Sequence, residues 1–247
     1  MTIYLLGEKN IFPSAELAET DGLLAMGGDL KLDRLLLAYQ EGIFPWFNEQ
    51  SSILWWSPKL RCVLQPTKFH ISKSLARTIR RANYQISIDK NFSKVIKSCA
   101  NIKRSGESGT WIGDGMIKAY EHMHLAGYAH SFEVTIAGNL AGGLYGVSLG
   151  NLFFAESMFT KVSNASKLAL AALVDFCLTK GFSLIDCQIP NQHLYSLGAN
   201  QIERSSYLEI LKKSNKRVTL TGSWSSHANN NLSDRLLDGA RKIKNSK

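Results

Sequence analysis

Three side chains at the ends of apolar runs have the chemistry to move a proton. In LIDCQ, Asp186 and Gln188 stand two residues apart. An extended strand puts both on one face and Cys187 on the other. Asp186 follows Leu184 and Ile185, a setting in which an acid must be paired or functional. Glu156 holds a similar place in FFAESMF. Two carboxylates and an amide at strand ends could bind a cation and carry a proton; the competing reading is a structural hydrogen bond to a turn. His193, in NQHLYSLGA, is a candidate base with no visible nucleophile and is assigned a structural role. Ser131 and Ser157 lie in no GxSxG elbow, which argues against a serine hydrolase. Cys62, Cys99, Cys177 and Cys187 form no CxxC pair, so neither a zinc site nor a disulfide framework is expected, and reduced cytosolic thiols are.

The elements that must position these groups are legible in the pattern. From Tyr128, HSFEVTI, LAGGLYGVS and LFFAESMF are three strands joined by Gly-Asn turns, an antiparallel meander. Ser163 can cap a helix over 164–180, Gly181 ends it, and SLIDCQI returns as a buried strand. Meander, helix and strand make an α+β fold. Upstream, Gly27-Gly28 marks a turn without the spacing of a phosphate loop, and Asp29 caps a short helix in LDRLLLAYQEG that Gly42 stops. The expected division is a small N-terminal domain over 1–60, a second domain over 61–211, and a polar, mobile tail over 212–247, rich in the Asn residues of HANNNLSD.

Of 247 residues, 45% are hydrophobic and 20% charged, the composition of a globular protein with a substantial core. MTIYLLGEKNIFP has too short an apolar run for a signal peptide. The apolar run from Leu168 to Leu178 is interrupted by Asp175 and too short to span a bilayer, so a soluble cytoplasmic protein is expected. The net charge of +9 points to a polyanionic partner. Between Glu49 and Asp89 there is no acid, while Lys59, Arg61, Lys68, Lys73, Arg77, Arg80 and Arg81 all fall there. The spacing predicts a helix over 71–82 with Lys73, Arg77, Arg80 and Arg81 on one face and Leu75 and Ile79 opposite. Such a face is either simply solvated or a phosphate-binding ridge. Just before it, GIFPWFNEQSSILWWSP concentrates three of the five tryptophans.

GLLAMGGDL, GIFPWF, ILWWSP, GTWI, AHSFEV, GGLYGVSLGNLFFAESMF, NASK and LIDCQ…HLYSLGA, in that order from Gly22 to Arg204, resemble bacterial leucyl/phenylalanyl-tRNA–protein transferases. The resemblance implies a small N-terminal domain joined to an acetyltransferase-like (GNAT-like) domain with a mixed, mainly antiparallel sheet. The turn TKVSNASK carries no glycine for a pyrophosphate, so an acyl-CoA donor is poorly provided for. The family moves leucine or phenylalanine from aminoacyl-tRNA to proteins with N-terminal Arg or Lys, marking them for N-end-rule degradation, without cofactor or metal. It further implies that Trp46 and Trp111 sandwich the terminal adenine with Tyr39 nearby, while Trp55 and Trp56 go to core or interdomain packing. Lys73, Arg77, Arg80 and Arg81, with Arg61, would follow the tRNA acceptor arm. Leu144, Phe153, Met158, Leu170, Phe176 and Ile185 are candidates for the amino-acid pocket. Gln188 would contact the attacking amine, Asp186 act as ultimate base, and Glu156 orient the amine or the Arg/Lys side chain. Departures from the family pattern are Ala155 before Glu156, Thr135 after HSFEV, and Ile202-Glu203-Arg204. Peptidoglycan-bridge transferases, a rival reading, are longer and lack this ordered set; an RNA-binding module, the other rival, has no use for Asp186 and Gln188.

Overall fold

A computed structural model describes residues 2–48, 51–81, 83–102, 112–228 and 232. Its strands are β1 (Tyr4–Leu6), β2 (Leu23–Gly27), β3 (Phe44–Pro45), β4 (Leu54–Trp56), β5 (Leu60–Leu64), β6 (Gln85–Ile88), β7 (Ala129–Ile136), β8 (Asn139–Leu149), β9 (Leu152–Thr160), β10 (Leu184–Gln188) and β11 (Asn200–Glu203). Its α-helices are α1 (Leu32–Gln40), α2 (Lys73–Arg81), α3 (Phe92–Ala100), α4 (Asp114–Leu125), α5 (Ala165–Lys180), α6 (Gln192–Ser196) and α7 (Arg204–Ser214).

Two sheets divide the strands. The first, in order β1-β2-β4-β3, draws only on residues before 57; the second, β11-β5-β10-β9-β8-β7-β6, holds the rest. The larger sheet is antiparallel throughout except where β9 and β10 run parallel, with α5 as the crossover. The architecture is therefore α+β with a mixed, mainly antiparallel sheet.

The larger sheet is covered on both faces. On one, α5, through Phe176 among others, packs with Leu75 and Ile79 of α2 and with Phe132 and Phe153 of the sheet. On the other, α3, α4 and the N-terminal α1 bury Tyr39, Phe92, Tyr120 and Tyr145. Because α5 lies deep in that core, it is apolar nearly all round, unlike a one-faced surface helix. Asn164 in the left-handed region precedes it, with no side-chain cap, and Gly181 at φ 76° ends it.

The expected tail is corrected over residues 212–228. Ser214 is buried and accepts from Asn151 N, and Thr219 Oγ1 accepts from Gly150 N. Trp224 is 1% exposed, stacked on His130 with centroids 3.4 Å apart and on Phe176 at 4.3 Å. Its backbone N–H donates to Asp89 Oδ2 at 2.8 Å. One large aromatic ring thus outweighs the polar composition around it, because burying such a ring contributes more than holding the neighbouring Ser residues costs. Residues 229–231 and 233–247 lie outside the described part. No helix among the described residues is long and apolar enough to cross a membrane.

Candidate active site

The parallel strands β9 and β10 pair from Leu184↔Leu152 to Asp186↔Phe154 and no further. Beyond that point they part, and a cavity of about 450 Å³ opens between them. Ala155–Met158 line one side and Cys187–Asn191 the other; Leu144, Leu170 and Leu194 form apolar walls, with Phe44 and Trp46 from the N-terminal segment. A crevice at the carboxyl ends of neighbouring strands is a recurrent place for ligands.

A β-bulge sits at each side of this mouth. In the β8–β9 ladder, Tyr145 pairs with Ser157 and Gly146 with Ala155, so Glu156 is the extra residue. A Cβ on Gly146 would lie 2.1 Å from Phe154 O, so only glycine lets the strands close here. In the β10–β5 ladder, Asp186 pairs with Val63 and Gln188 with Cys62, leaving Cys187 as the extra residue. Gln188 has φ 61°, and its N–H donates to Asp186 Oδ1 at 2.9 Å, which helps hold this left-handed turn of the backbone. Bulges re-aim side chains beside active sites, and here they turn Glu156 and Gln188 toward each other: Gln188 Nε2 donates to Glu156 Oε1 at 2.8 Å.

Glu156 also accepts from Tyr39 OH at 2.8 Å and Tyr120 OH at 3.0 Å. No cation offsets its charge in these bonds. Burial pushes its pKa up to about 7, against the lowering effect of the two phenols. Burial first, then the Glu156 charge, raises both phenols well above their ordinary range, so they remain donors.

Asp186 is held differently. Its carboxylate takes Nε–H and Nη2–H of Arg61, the latter at 2.7 Å, and the Tyr207 hydroxyl, also at 2.7 Å. The guanidinium lies between the Phe44 and Tyr207 rings, 4.6 and 4.7 Å from their centroids. Burial opposes the Arg61 charge, but the Asp186 carboxylate more than offsets this and holds its pKa above the ordinary value. Asp186 is therefore a salt-bridged structural anion, fully buried, with its oxygens occupied. Arg61, Tyr207 and the Gln188 backbone N–H take up both oxygens, a different setting from the free carboxylate expected of an ultimate base.

The other expected site residues fall into groups. Leu144, Met158 and Leu170 line the cavity. Phe153, Phe176 and Ile185 do not; they belong to the core on the α5 face, and Phe176 is taken by Trp224. Tyr39 is wholly buried against Glu156, so it offers no face to a base. Arg61 is likewise buried in its ion pair and cannot meet a phosphate. Lys73, Arg77, Arg80 and Arg81 are all exposed on α2, which Asn164 Nδ2 ties to the start of α5 through Ser74 Oγ and Thr78 Oγ1. Trp46 is 38% exposed on the cavity rim and edge-on to Trp56. Trp55 is core, its indole N–H donating to Gly27 O. Trp111 lies outside the described residues. Sequence reasoning missed Tyr120, Tyr207 and Cys187. The first two carried no local signal, whereas Cys187 was assigned by strict alternation to the face away from the site, an assignment the bulge undoes.

Residues 63–212 match the family described as leucyl/phenylalanyl-tRNA protein transferase, and residues 28–59 match the N-terminal domain of the same family. A leucyl/phenylalanyl-tRNA–protein transferase of Thermodesulfovibrio yellowstonii is 50% identical over 224 residues, 91% of each chain. One from Desulfatibacillum aliphaticivorans is 50% identical over 232 residues, covering 94% of this chain and all of its own. Solved structures resemble it only loosely: L-PGS from Bacillus licheniformis has a TM-score of 0.38 and 11% identity over 68% of this chain and 54% of its own. An aminoglycoside acetyltransferase from an uncultured soil metagenomic sample has 0.33 and 15%, over 54% and 88%. Likenesses that loose extend to neither site nor chemistry. The two family matches and the half-identical relatives agree along nearly the whole chain, and it belongs to the leucyl/phenylalanyl-tRNA protein transferase family.

Proposed function

We propose that this chain transfers leucine or phenylalanine, and methionine as a further donor, from aminoacyl-tRNA to the α-amine of proteins with N-terminal Arg or Lys, creating an N-end-rule degradation signal in the cytoplasm. One observation carries the reading: a hydrogen-bonded Glu156–Gln188 pair stands on the wall of an apolar cavity rimmed by an exposed indole. The transferred side chain enters between Leu144, Met158 and Leu170, where the unbranched Met158 gives an adaptable wall. Trp46 stacks on the terminal adenine, a contact worth about 1–3 kcal/mol per base. Trp111 completes the stack by analogy with the family. The cationic ridge of α2 follows the acceptor arm by neutralising phosphates, which several tRNAs share whatever their sequence.

The reaction is aminolysis of an ester, and it yields a more stable amide. An α-amine with a pKa of about 7.7–8.0 is largely protonated at neutral pH and must lose a proton before attack. Gln188 donates its amide N–H to Glu156, which leaves its carbonyl oxygen to accept an N–H of the incoming amine. Glu156, raised to about 7 by burial, is the group able to receive a proton near neutrality. The amine nitrogen then attacks the ester carbonyl, and the tRNA 3′-end oxygen leaves with a proton. Asp186 supports this from behind by fixing the Gln188 N–H. The charge of Glu156 also suits a cationic N-terminal residue on the acceptor.

The test is to incubate the protein with radiolabelled Leu-tRNA and peptides beginning with Arg, Lys or Ala. Label should pass to the first two peptides and not the third. Tight tRNA binding without transfer would overturn the proposal in favour of an RNA-binding module. If the pocket is a narrow bent slot, Ile-tRNA, whose side chain branches at Cβ, should donate more slowly than Leu-tRNA, and equal rates would reject that shape.

A further inference from the structure

The described cysteines are all buried and form no disulfide, and two of them are neighbours across the ladder beside the site. In the β10–β5 bulge, Cys187 and Gln188 together face Cys62. In such a bulge both residues stand opposite the single partner, so Cys187 as well as Gln188 is a neighbour of Cys62 across the ladder. Cys62 and Cys187 point into the same core, on the α5 side. The two thiols are near enough to shift each other's ionisation in opposite directions. Cys187 also forms part of the cavity wall, so a small solute entering the cavity meets the pair at Cys187. Neither thiol has a part in the chemistry above.

We propose that Cys62 and Cys187 form an oxidisable dithiol on the wall of the active-site cavity, a modification site for peroxide whose disulfide switches transfer off. The stoichiometry closes with hydrogen peroxide as the two-electron oxidant. The pair loses a proton; the thiolate sulfur attacks one peroxide oxygen, the O–O bond breaks, and the released hydroxide takes up that proton as water. The sulfenic acid left behind is attacked by the partner sulfur, the S–S bond forms, and the second oxygen leaves as water with the remaining thiol proton. Cys187, the largest influence, lowers the Cys62 pKa, while Cys62 and burial raise that of Cys187, so the shared charge is biased toward Cys62. Linking Cys187 to Cys62 pulls on the one residue between Asp186 and Gln188. The left-handed backbone of Gln188 and its bond to Glu156 depend on that residue staying where it is. Reduction by a dithiol restores both thiols.

The switch rests on the proposed transfer reaction, but the chemical modification does not, and the experiment separates them. The full-length reduced protein is treated with hydrogen peroxide, then denatured for thiol counting and non-reducing peptide mapping, with Leu-tRNA transfer assayed in parallel. Expected are a fall from four thiols to two and a Cys62–Cys187 cross-linked peptide. Transfer should drop by roughly tenfold or more, on the scale that displacing a reacting group costs, and dithiothreitol should restore it. Cys62→Ala, which touches no substrate-facing wall, should transfer normally and resist peroxide. Four thiols remaining, a cross-link through Cys99 or Cys177, a cross-linked protein that transfers at full rate, or Cys62→Ala inactivated as fast as the parent would each overturn the proposal. A reduced protein that forms the cross-link yet never transfers leucine counts against the proposed function and leaves the dithiol standing.

Discussion

Asp186 and Glu156 are both buried carboxylates, close enough to influence each other, yet their surroundings give them opposite characters. Asp186 faces a full positive charge, clamped between two aromatic rings. Glu156 faces only neutral donors: two phenols and an amide. Its ion pair with Arg61 makes the first part of the scaffold. Neutral donors compensate the second incompletely, so burial raises its pKa toward neutrality. A carboxylate earns a catalytic assignment from its partners and not from its place at a strand end.

Substitutions can break this contrast. Asp186→Ala strands the Arg61 guanidinium in the interior and should cost about 3–5 kcal/mol of stability, read by urea denaturation. If Asp186→Ala is as stable as the parent, the scaffold role is lost. Arg61→Met combined with Asp186→Leu should recover most of that loss without restoring the Gln188 turn. Glu156→Gln should be the reverse case: at least as stable above pH 7, but slower in transfer by about 10²-fold or more.

The pH dependence sharpens the same contrast. Between the ordinary 4.5 and about 7, folded Glu156 holds a proton that the unfolded chain has released. Its contribution is therefore complete below pH 4.5 and falls away as pH rises to 7. Glu156→Gln should abolish that slope in stability. In kcat/KM, the parent should gain activity through pH 7, and Glu156→Gln should keep only the later rise of the acceptor amine. Tyr39→Phe or Tyr120→Phe removes a donor that favours the charged form, so the limb should move to higher pH. An unmoved limb would mean that Glu156 is not the titrating group. Smallest is Tyr207→Phe: about 1.5–3 kcal/mol less stability, as for a hydrogen bond to a charged group, with the pH limb unmoved.

The meander, α5 with its Gly181 stop, and the exposed ridge of α2 were legible because each is written in local periodicity. Glu156 and Gln188 stood out as candidates because an acid and an amide lie beside apolar strands. Their relation to one another was not legible. It depends on two bulges, and a bulge is one extra residue whose signature, a glycine such as Gly146 facing a carbonyl, is ambiguous along a chain with 19 glycines. Arg61 reads as one more cation in an acid-free interval; its partner lies 125 residues away. Tyr39 sits on a helix whose inward face was visible, but not that it would meet Glu156. Trp224 was hidden by the polar residues around it, since composition averages over a window and burial does not.

The placing of Trp224 has a consequence for biosynthesis. Its indole closes a space bounded by Phe132, Phe153, Phe176 and Phe182. A ribosome-bound nascent chain that has reached only Lys212 has every strand of the larger sheet but leaves that aromatic hollow open to solvent. Completion of the core must wait until residue 224 clears the exit tunnel, and until then the growing polypeptide presents a sticky surface of the kind that chaperones cover.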